Sequence, residues 1–234
     1  MPPQPLSSTA SKGTLRISPG AFDLRPNLAV LVAKIIASWS EAEARLANVL
    51  VTMLGAHADP AIAMFQALSS TNAQTDAIDA AAREVLAEEQ FERFDAIMAI
   101  FRRARKKRNR LAHHTWATID DLPDALALID PAGRVQSALT INKLIRGVYK
   151  EEDPMRRAQD VVFARDRIFI YREQDFQEIL DETTRVTKYL GWFDLYISPY
   201  PTPAPVAATL QQLWNEPDLQ EQMARQRRGK TLPE

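Results

Sequence analysis

The sequence predicts a mainly α-helical bundle with a small β-rich insertion before the last core helix. Long stretches carry apolar residues at intervals of three and four, the helical period, whereas strand-like apolar runs fall between residues 120 and 171. Only 7 of 234 residues are glycine, which suits helices better than a turn-rich all-β fold. Apolar residues make up 46% of the chain, enough for a sizeable core.

The first part of the chain predicts a loose segment followed by three helices. Residues 1–25 include three prolines near their start and are expected to be a flexible N-terminal segment. Apolar periodicity from Leu28 to Met53 predicts a long helix that Pro26 and Asn27 open, and Gly55 stands where a C-cap belongs. A shorter second helix should follow. Residues 69–72 offer caps for a third helix that runs to about Leu86.

The fourth predicted helix runs from about Glu88 to Trp116 and turns from apolar to basic along its length. Its expected buried stripe is Phe91, Phe94, Met98 and Phe101. The same steps then reach Arg105, Arg108 and Ala112. Seven of the nine residues over 102–110 are basic, so this run is either a solvated helix face or a binding surface for phosphate. The candidate RNA-backbone contacts are Arg102, Arg103, Arg105, Lys106, Lys107 and Arg110.

The remaining chain predicts the insertion, one more core helix and a tail. Within the insertion, about 120–171, we expect strands at Leu126–Ile129, 134–135, 161–163 and 168–171. Asp175 with Glu178 resembles a capping box that opens the last core helix of a helical domain spanning 26–198. Residues 199–234 then read as a Pro-rich linker and an amphipathic, basic C-terminal tail.

Composition excludes several function classes. With no cysteine, disulfides, thiolate metal sites and a cysteine nucleophile are excluded. No secretory signal or bilayer-length apolar run is visible, so we expect a cytoplasmic protein without a membrane partner. Only three histidines are present and no Gly-rich phosphate loop occurs, so neither a metal nor another cofactor is expected. The net charge of −1 means that any nucleic-acid partner must be held by a local patch.

The basic run ends in the motif Arg108-Asn109-Arg110-Leu111-Ala112-His113. Its pattern, Arg-Asn-x-x-x-His late in a long helix, resembles the signature of the HEPN superfamily, over about 27–117 and 173–197 of the chain. The resemblance implies a HEPN-like helical bundle. It also implies a metal-independent ribonuclease of the kind found in toxin–antitoxin, CRISPR-associated and abortive-infection systems. The catalytic residues would be Arg108, Asn109 and His113.

The spacing of the motif constrains how it could act. Asn109 and His113 are one turn apart and share a helix face. Arg108 and His113 are five residues apart and point roughly 140° away from each other on a straight helix. Either the helix frays or bends near His113, or two copies of the chain pool their motifs. The resemblance implies the second solution, a homodimer with a cleft on its two-fold axis.

The chemistry of RNA cleavage assigns roles to the motif. His113 is the candidate general base or acid, Arg108 would stabilise charge on the phosphate, and Asn109 would orient His113 or bond the phosphate. His114 is a candidate for supporting His113. Glu43 either pairs with Arg108 or Arg110, or is a boundary carboxylate in solvent.

Two further expectations concern partners and an alternative function. Some HEPN toxins carry a modified tyrosine two residues after the histidine, where this chain has Thr115, which puts that mode of control in doubt. An antitoxin or another regulatory protein remains a possible partner beside RNA. The alternative function is a non-catalytic HEPN-like helical module that binds a protein or a nucleic acid.

Overall fold

The computed structural model describes residues 3–55, 58–68, 70–145, 165–200 and 204–230. These residues form eight α-helices and one small antiparallel sheet. The helices are α1 Pro26–Leu54, α2 Ala58–Ala67, α3 Thr71–Val85, α4 Glu88–His113, α5 Pro131–Ile145, α6 Glu173–Ile197, α7 Ala204–Trp214 and α8 Pro217–Lys230. The strands are β1 Gln4–Pro5, β2 Leu15–Ile17, β3 Thr115–Ile119, β4 Ala125–Ile129 and β5 Ile168–Arg172.

The chain divides into two compact units that share the long helices. Unit 1 contains 1–36 and 107–180, and unit 2 contains 37–106 and 181–234. This division differs from the predicted one, because α1, α4 and α6 each contribute residues to both units. Among the described residues, no helix combines the length and the apolar character needed to cross a bilayer.

Unit 2 is helical, and its caps follow from local sequence. Ser70 opens α3, because its hydroxyl accepts a hydrogen bond from the Ala73 backbone N–H at 3.4 Å. Gly55 follows α1 with a φ of +54°, the left-handed conformation that glycine adopts at helix ends. The core joins Trp39 and Phe101, whose ring centroids are 4.8 Å apart, to apolar residues of α3, α6 and the C-terminal helices.

The C-terminal segment, predicted as a Pro-rich linker and an amphipathic, basic tail, contributes apolar side chains to this core. Residues 204–230 form α7 and α8, and their buried side chains are Leu210, Trp214, Leu219 and Met223. The Arg93 guanidinium lies 4.6 Å from the Trp214 ring centroid, and Arg227 pairs with Glu92 on α4. Residues 201–203 of the predicted linker lie outside the described residues.

Unit 1 is built on the sheet, whose strand order is β1-β5-β4-β3-β2. Every neighbouring pair is antiparallel, and β4 is buried along its whole length. The two edge strands come from the N-terminal segment, since Gln4 pairs with Ile170 and Leu15 pairs with Ile119. The prediction that 1–25 is flexible is therefore wrong for residues 3–25. Pro5 suits the edge position, where no ladder hydrogen bond is needed from its nitrogen.

The Asp121 carboxylate holds the loop between β1 and β2 in place by hydrogen bonds. Asp121 accepts hydrogen bonds from the Ser11 hydroxyl at 2.6 Å and from the backbone N–H groups of Lys12 at 2.9 Å and Gly13 at 3.0 Å. These bonds lower the pKa of Asp121, with the Ser11 hydroxyl as the largest cause. The loop is thus held by interactions that span more than a hundred residues of sequence.

The strands of the predicted insertion are confirmed in part. Strand β4 matches Leu126–Ile129, and β5 matches the strand at 168–171. The strand at 134–135 is wrong, because α5 begins at Pro131 and the Asp130 carboxylate accepts from the Ala132 N–H at 2.8 Å as a helix cap. The fourth helix ends at His113 rather than Trp116, which lies in β3. The strand at 161–163 lies outside the described residues.

Candidate functional site

The end of α4 is anchored in unit 1 by Leu111. This side chain is 2% exposed and packs in a cluster with Leu126 and Leu128 of β4 and Phe176 of α6. The helix is regular through His113, so it does not fray before the last motif residue. Burial of Leu111 fixes which faces of the last turns are available to a ligand.

The structure brings Arg108 and Asn109 together. The Arg108 side chain is half-buried, and its Nη1 donates a hydrogen bond to Asn109 Oδ1 at 3.2 Å. His113 is exposed at the last position of the helix. Because the helix stays intact, the five-residue spacing places Arg108 and His113 roughly 140° apart around its axis.

His114 points into a different environment from His113. Its backbone N–H donates to the Arg110 carbonyl at 2.9 Å, and its Nδ1 atom is buried. Burial lowers the pKa of His114, an effect that the nearby Asp130 carboxylate opposes and Arg110 reinforces. A lowered pKa keeps this imidazole neutral near neutral pH, so any help it gives to His113 would come from the uncharged form.

Three arginines of the basic run are bonded within unit 2. Arg102 forms an ion pair with Asp79 of α3, and burial raises the pKa of Asp79 although this pairing opposes the shift. Arg103 Nε lies 2.7 Å from Glu182 Oε1 of α6. Arg105 donates to Thr75 Oγ1 at 3.1 Å and to Asn72 Oδ1 at 3.0 Å. These contacts pack α4 against its neighbours.

The other basic residues lie toward the end of the helix. Lys106 is exposed. Lys107 lies near the Glu178 carboxylate, and Arg110 lies near the hydroxyl of the buried Tyr171. Burial raises the pKa of Tyr171, and Arg110 opposes that shift.

The buried stripe of α4 does not continue as the sequence predicted. Beyond Phe101 the buried positions are Ala104 and Leu111, at 1% and 2% exposure, whereas Ala112 is exposed. The predicted stripe continued through Arg105 to Ala112, whereas the buried residues are each one position earlier, at Ala104 and Leu111. Glu182 was missed as a partner of the basic run. Glu182 lies between Ile179 and Val186 on the apolar face of α6. This position could have identified it from the sequence, because a carboxylate buried on an apolar face needs a cation as its partner.

Glu43 is exposed on the unit 2 part of α1. It lines a cavity of about 310 Å³ together with Leu46, Thr71, Thr75 and Phe101. This cavity also borders Thr71 and Thr75, to which Arg105 donates hydrogen bonds.

Within the described ranges, no three His, Asp or Glu side chains converge as ligands for a metal ion, so no residue set is assigned to one. Comparisons of the chain with protein-family models, with curated proteins and with solved structures give no match.

Proposed function

We propose that this chain is a metal-independent endoribonuclease of the HEPN type, cytoplasmic and acting as a toxin or an antiviral-defence effector. One observation carries the proposal: an intact helix ends in an exposed His113, five residues after an Arg108 side chain that is bonded to Asn109. These are the groups that RNA cleavage needs, namely an imidazole that can take or give a proton and a fixed cation for the phosphate. The resemblance of the motif to the HEPN signature adds the reaction class.

In the proposed reaction, the RNA 2′-hydroxyl oxygen bonds to the adjacent phosphorus while the bond from phosphorus to the 5′-oxygen breaks. His113 takes the proton of the 2′-hydroxyl. Water or the imidazolium so formed returns a proton to the leaving 5′-oxygen. Arg108 neutralises the charge that builds on the phosphate oxygens, and Asn109 holds Arg108 in place. The products are a 2′,3′-cyclic phosphate and a 5′-hydroxyl, and no redox step occurs.

The proposed site is shared between two copies of the chain. An intact α4 separates Arg108 and His113 by roughly 140°, so one helix does not readily aim both at one phosphate. In a two-fold dimer, Arg108 of one protomer can face His113 of its partner. An antitoxin or another regulatory protein would then control activity by covering the cleft.

The first experiment tests the reaction. Purified protein should cleave single-stranded RNA in EDTA and leave 2′,3′-cyclic phosphate ends. His113→Ala and Arg108→Ala should each lose the activity by about a hundredfold or more, because each removes a transition-state interaction. Arg225→Ala is the matched control, since it removes only an exposed pair with Glu221 within one helix. Equal cleavage by wild type and both motif variants would refute the site.

The second experiment tests the shared arrangement. An equal mixture of Arg108→Ala and His113→Ala chains forms about half heterodimers, and each heterodimer holds one intact site of two. After unfolding and refolding together, the mixture should regain about one quarter of the wild-type activity. No recovery, with heterodimers confirmed by mass spectrometry, would refute a site built from two chains.

A non-catalytic helical module is the second candidate, and one observation favours it. Arg102, Arg103 and Arg105 are all bonded to side chains within unit 2, so part of the basic run has a packing role. If no RNA is cleaved and Arg108→Ala lowers the free energy of unfolding, the motif is a structural brace in a partner-binding protein.

A further inference from the structure

The cavity of about 310 Å³ in unit 2 lies between α1, α2, α3 and α4. Its size is at the lower end of the range of small-molecule binding sites. The lining combines an apolar wall with polar groups, and its residues are Glu43, Leu46, Phe65, Thr71, Gln74, Thr75 and Phe101. A small ligand with both apolar and polar parts would therefore fit this cavity.

The Glu43 carboxylate offers this cavity an unpaired negative charge. Glu43 is exposed on α1, and no cation or hydrogen-bond donor contacts its side chain in the part of the chain that the structure describes. Gln74 supplies a second acceptor. Its Nε2 atom donates to the Leu68 carbonyl at 3.1 Å, and its Oε1 atom has no partner among the described residues. An ammonium group would gain charge-assisted hydrogen bonds from these oxygens.

Arg105 brings a positive charge to the same cavity. It follows Phe101 by one helical turn, so the two side chains share a face of α4. Its Nη1 atom donates to Thr75 Oγ1 at 3.1 Å and to the Thr71 carbonyl at 3.4 Å, and its Nη2 atom donates to Asn72 Oδ1 at 3.0 Å. All three partners are uncharged. A guanidinium has five N–H groups, so two donors have no partner within the described ranges.

The start of α3 adds to the positive potential beside Arg105. Thr71 is the first residue of α3 and lines the cavity, and the first turn of this helix holds no acidic residue. The N-terminal end of a helix favours a negative charge, because the peptide dipoles point their positive ends toward it. A ligand carboxylate near Arg105 would therefore also be stabilised by α3.

We propose that this cavity binds a free α-amino acid with an apolar side chain. The ammonium group would donate to Glu43 and Gln74, and the carboxylate would lie toward Arg105 and the start of α3. The side chain of the ligand would pack on the apolar wall. The cavity would bind this zwitterion whether or not the chain cleaves RNA.

Ligands with a different charge pattern match the cavity less well. A simple amine would be repelled by Arg105, and a simple carboxylic acid would be repelled by Glu43. An amino acid with a charged side chain would place a third charge against the apolar wall, where it would lose its hydration.

The experiment compares three ligands with the same branched carbon chain. The full chain is titrated by isothermal calorimetry with L-leucine, with 3-methylbutylamine, which lacks the carboxylate, and with 4-methylpentanoate, which lacks the ammonium group. L-Leucine should bind at least about tenfold more tightly than either, because a hydrogen bond to a charged group contributes that much or more. L-Aspartate should bind more weakly than L-leucine.

Glu43→Gln tests the ammonium end of the site. It should weaken the binding of L-leucine by about tenfold and should not weaken the binding of 4-methylpentanoate, which has no ammonium group. Because Glu43 is exposed, this substitution should leave the fold intact. Glu84→Gln, an exposed residue of α3 outside the cavity, is the matched control and should leave all affinities unchanged.

Arg105→Gln tests the carboxylate end, with the opposite expectation. It should weaken the binding of L-leucine and of 4-methylpentanoate and should not weaken that of 3-methylbutylamine. If this variant does not fold, Glu43→Gln still decides the question.

Three results would each overturn the site. One is no saturable binding of either L-leucine or L-phenylalanine in the millimolar range. Another is equal affinity for L-leucine, 3-methylbutylamine and 4-methylpentanoate. The third is Glu43→Gln weakening L-leucine and 4-methylpentanoate alike, or weakening neither.

Discussion

Replacement of Arg103 separates packing from RNA binding within the basic run. Arg103 Nε lies 2.7 Å from Glu182 Oε1, so Arg103→Ala removes a cation from a buried carboxylate. We expect a lower free energy of unfolding and little change in RNA affinity. Lys106, on the same helix and exposed, should behave in the opposite way.

The magnitude follows from the exposure of the two partners. The side chain of Glu182 is 4% exposed and that of Arg103 is 44% exposed. Breaking a fully buried pair costs about 3–5 kcal/mol, whereas an exposed pair contributes about 0–1 kcal/mol. Because Glu182 is buried and Arg103 is half-exposed, Arg103→Ala should lower the free energy of unfolding by about 2 kcal/mol. At a urea slope of about 2 kcal/mol/M, the unfolding midpoint should fall by about 1 M.

The assay is urea unfolding followed by circular dichroism, beside RNA binding measured at several salt concentrations. Arg103→Met/Glu182→Leu should recover most of the loss, because an apolar pair replaces the ion pair without leaving a buried charge. Lys106→Ala should change stability by less than about 0.5 kcal/mol and flatten the salt dependence by about one phosphate contact. If Arg103→Ala keeps full stability and flattens the salt dependence as Lys106→Ala does, the packing role is refuted.

Two further predictions concern unit 1. Gly13→Ala would put a Cβ atom 2.2 Å from Asp121 Oδ1 and 2.9 Å from the Asp121 backbone nitrogen, so it should cost about 1–3 kcal/mol of stability in urea unfolding. The control is Gly191→Ala in α6, where the nearest atom is 3.9 Å away and alanine should stabilise the helix by about 0.5–1 kcal/mol. Because burial lowers the pKa of His114, the unfolded chain binds its proton more readily, and stability should fall as pH drops below about 6.5, the unperturbed pKa of histidine. His114→Asn should reduce this fall between pH 7.5 and 5.5, and an identical fall in both proteins would contradict the assignment.

Local sequence was enough to predict the long helices and strands β4 and β5, but not the edge strands of the sheet. The apolar period and the Gly55 end predicted α1, and Asp175 predicted the start of α6 to within two residues. The edge strands carry no such signal, because β1 has two residues and β2 has three. Leu15 pairs with Ile119, and a pairing over that separation depends on the rest of the fold rather than on local pattern.

The helix α5 shows how turn residues mislead when read alone. The stretch Asp130-Pro131-Ala132-Gly133 has the composition of a turn between strands. Aspartate followed by proline is also the opening of a helix, with the carboxylate as the cap and proline at the first helical position. In the structure these residues open the helix α5. Gly133 lies close to Arg167, and a Cβ atom at this glycine would be 3.0 Å from the Arg167 Cβ.

Three of the seven basic residues in the run have a packing role, which narrows the surface proposed for RNA binding. Composition alone cannot separate an arginine that braces a helix from one that binds phosphate, because both need the same charge. The two kinds of arginine are distinguished by their partners on other helices, such as Glu182, and the positions of those partners depend on the fold. With Arg102, Arg103 and Arg105 bonded in unit 2, the proposed RNA contacts shift to the last two turns of α4. A strand held there would run along the face that carries His113, so under the proposed function the cations that bind the strand would also determine which phosphate is cut.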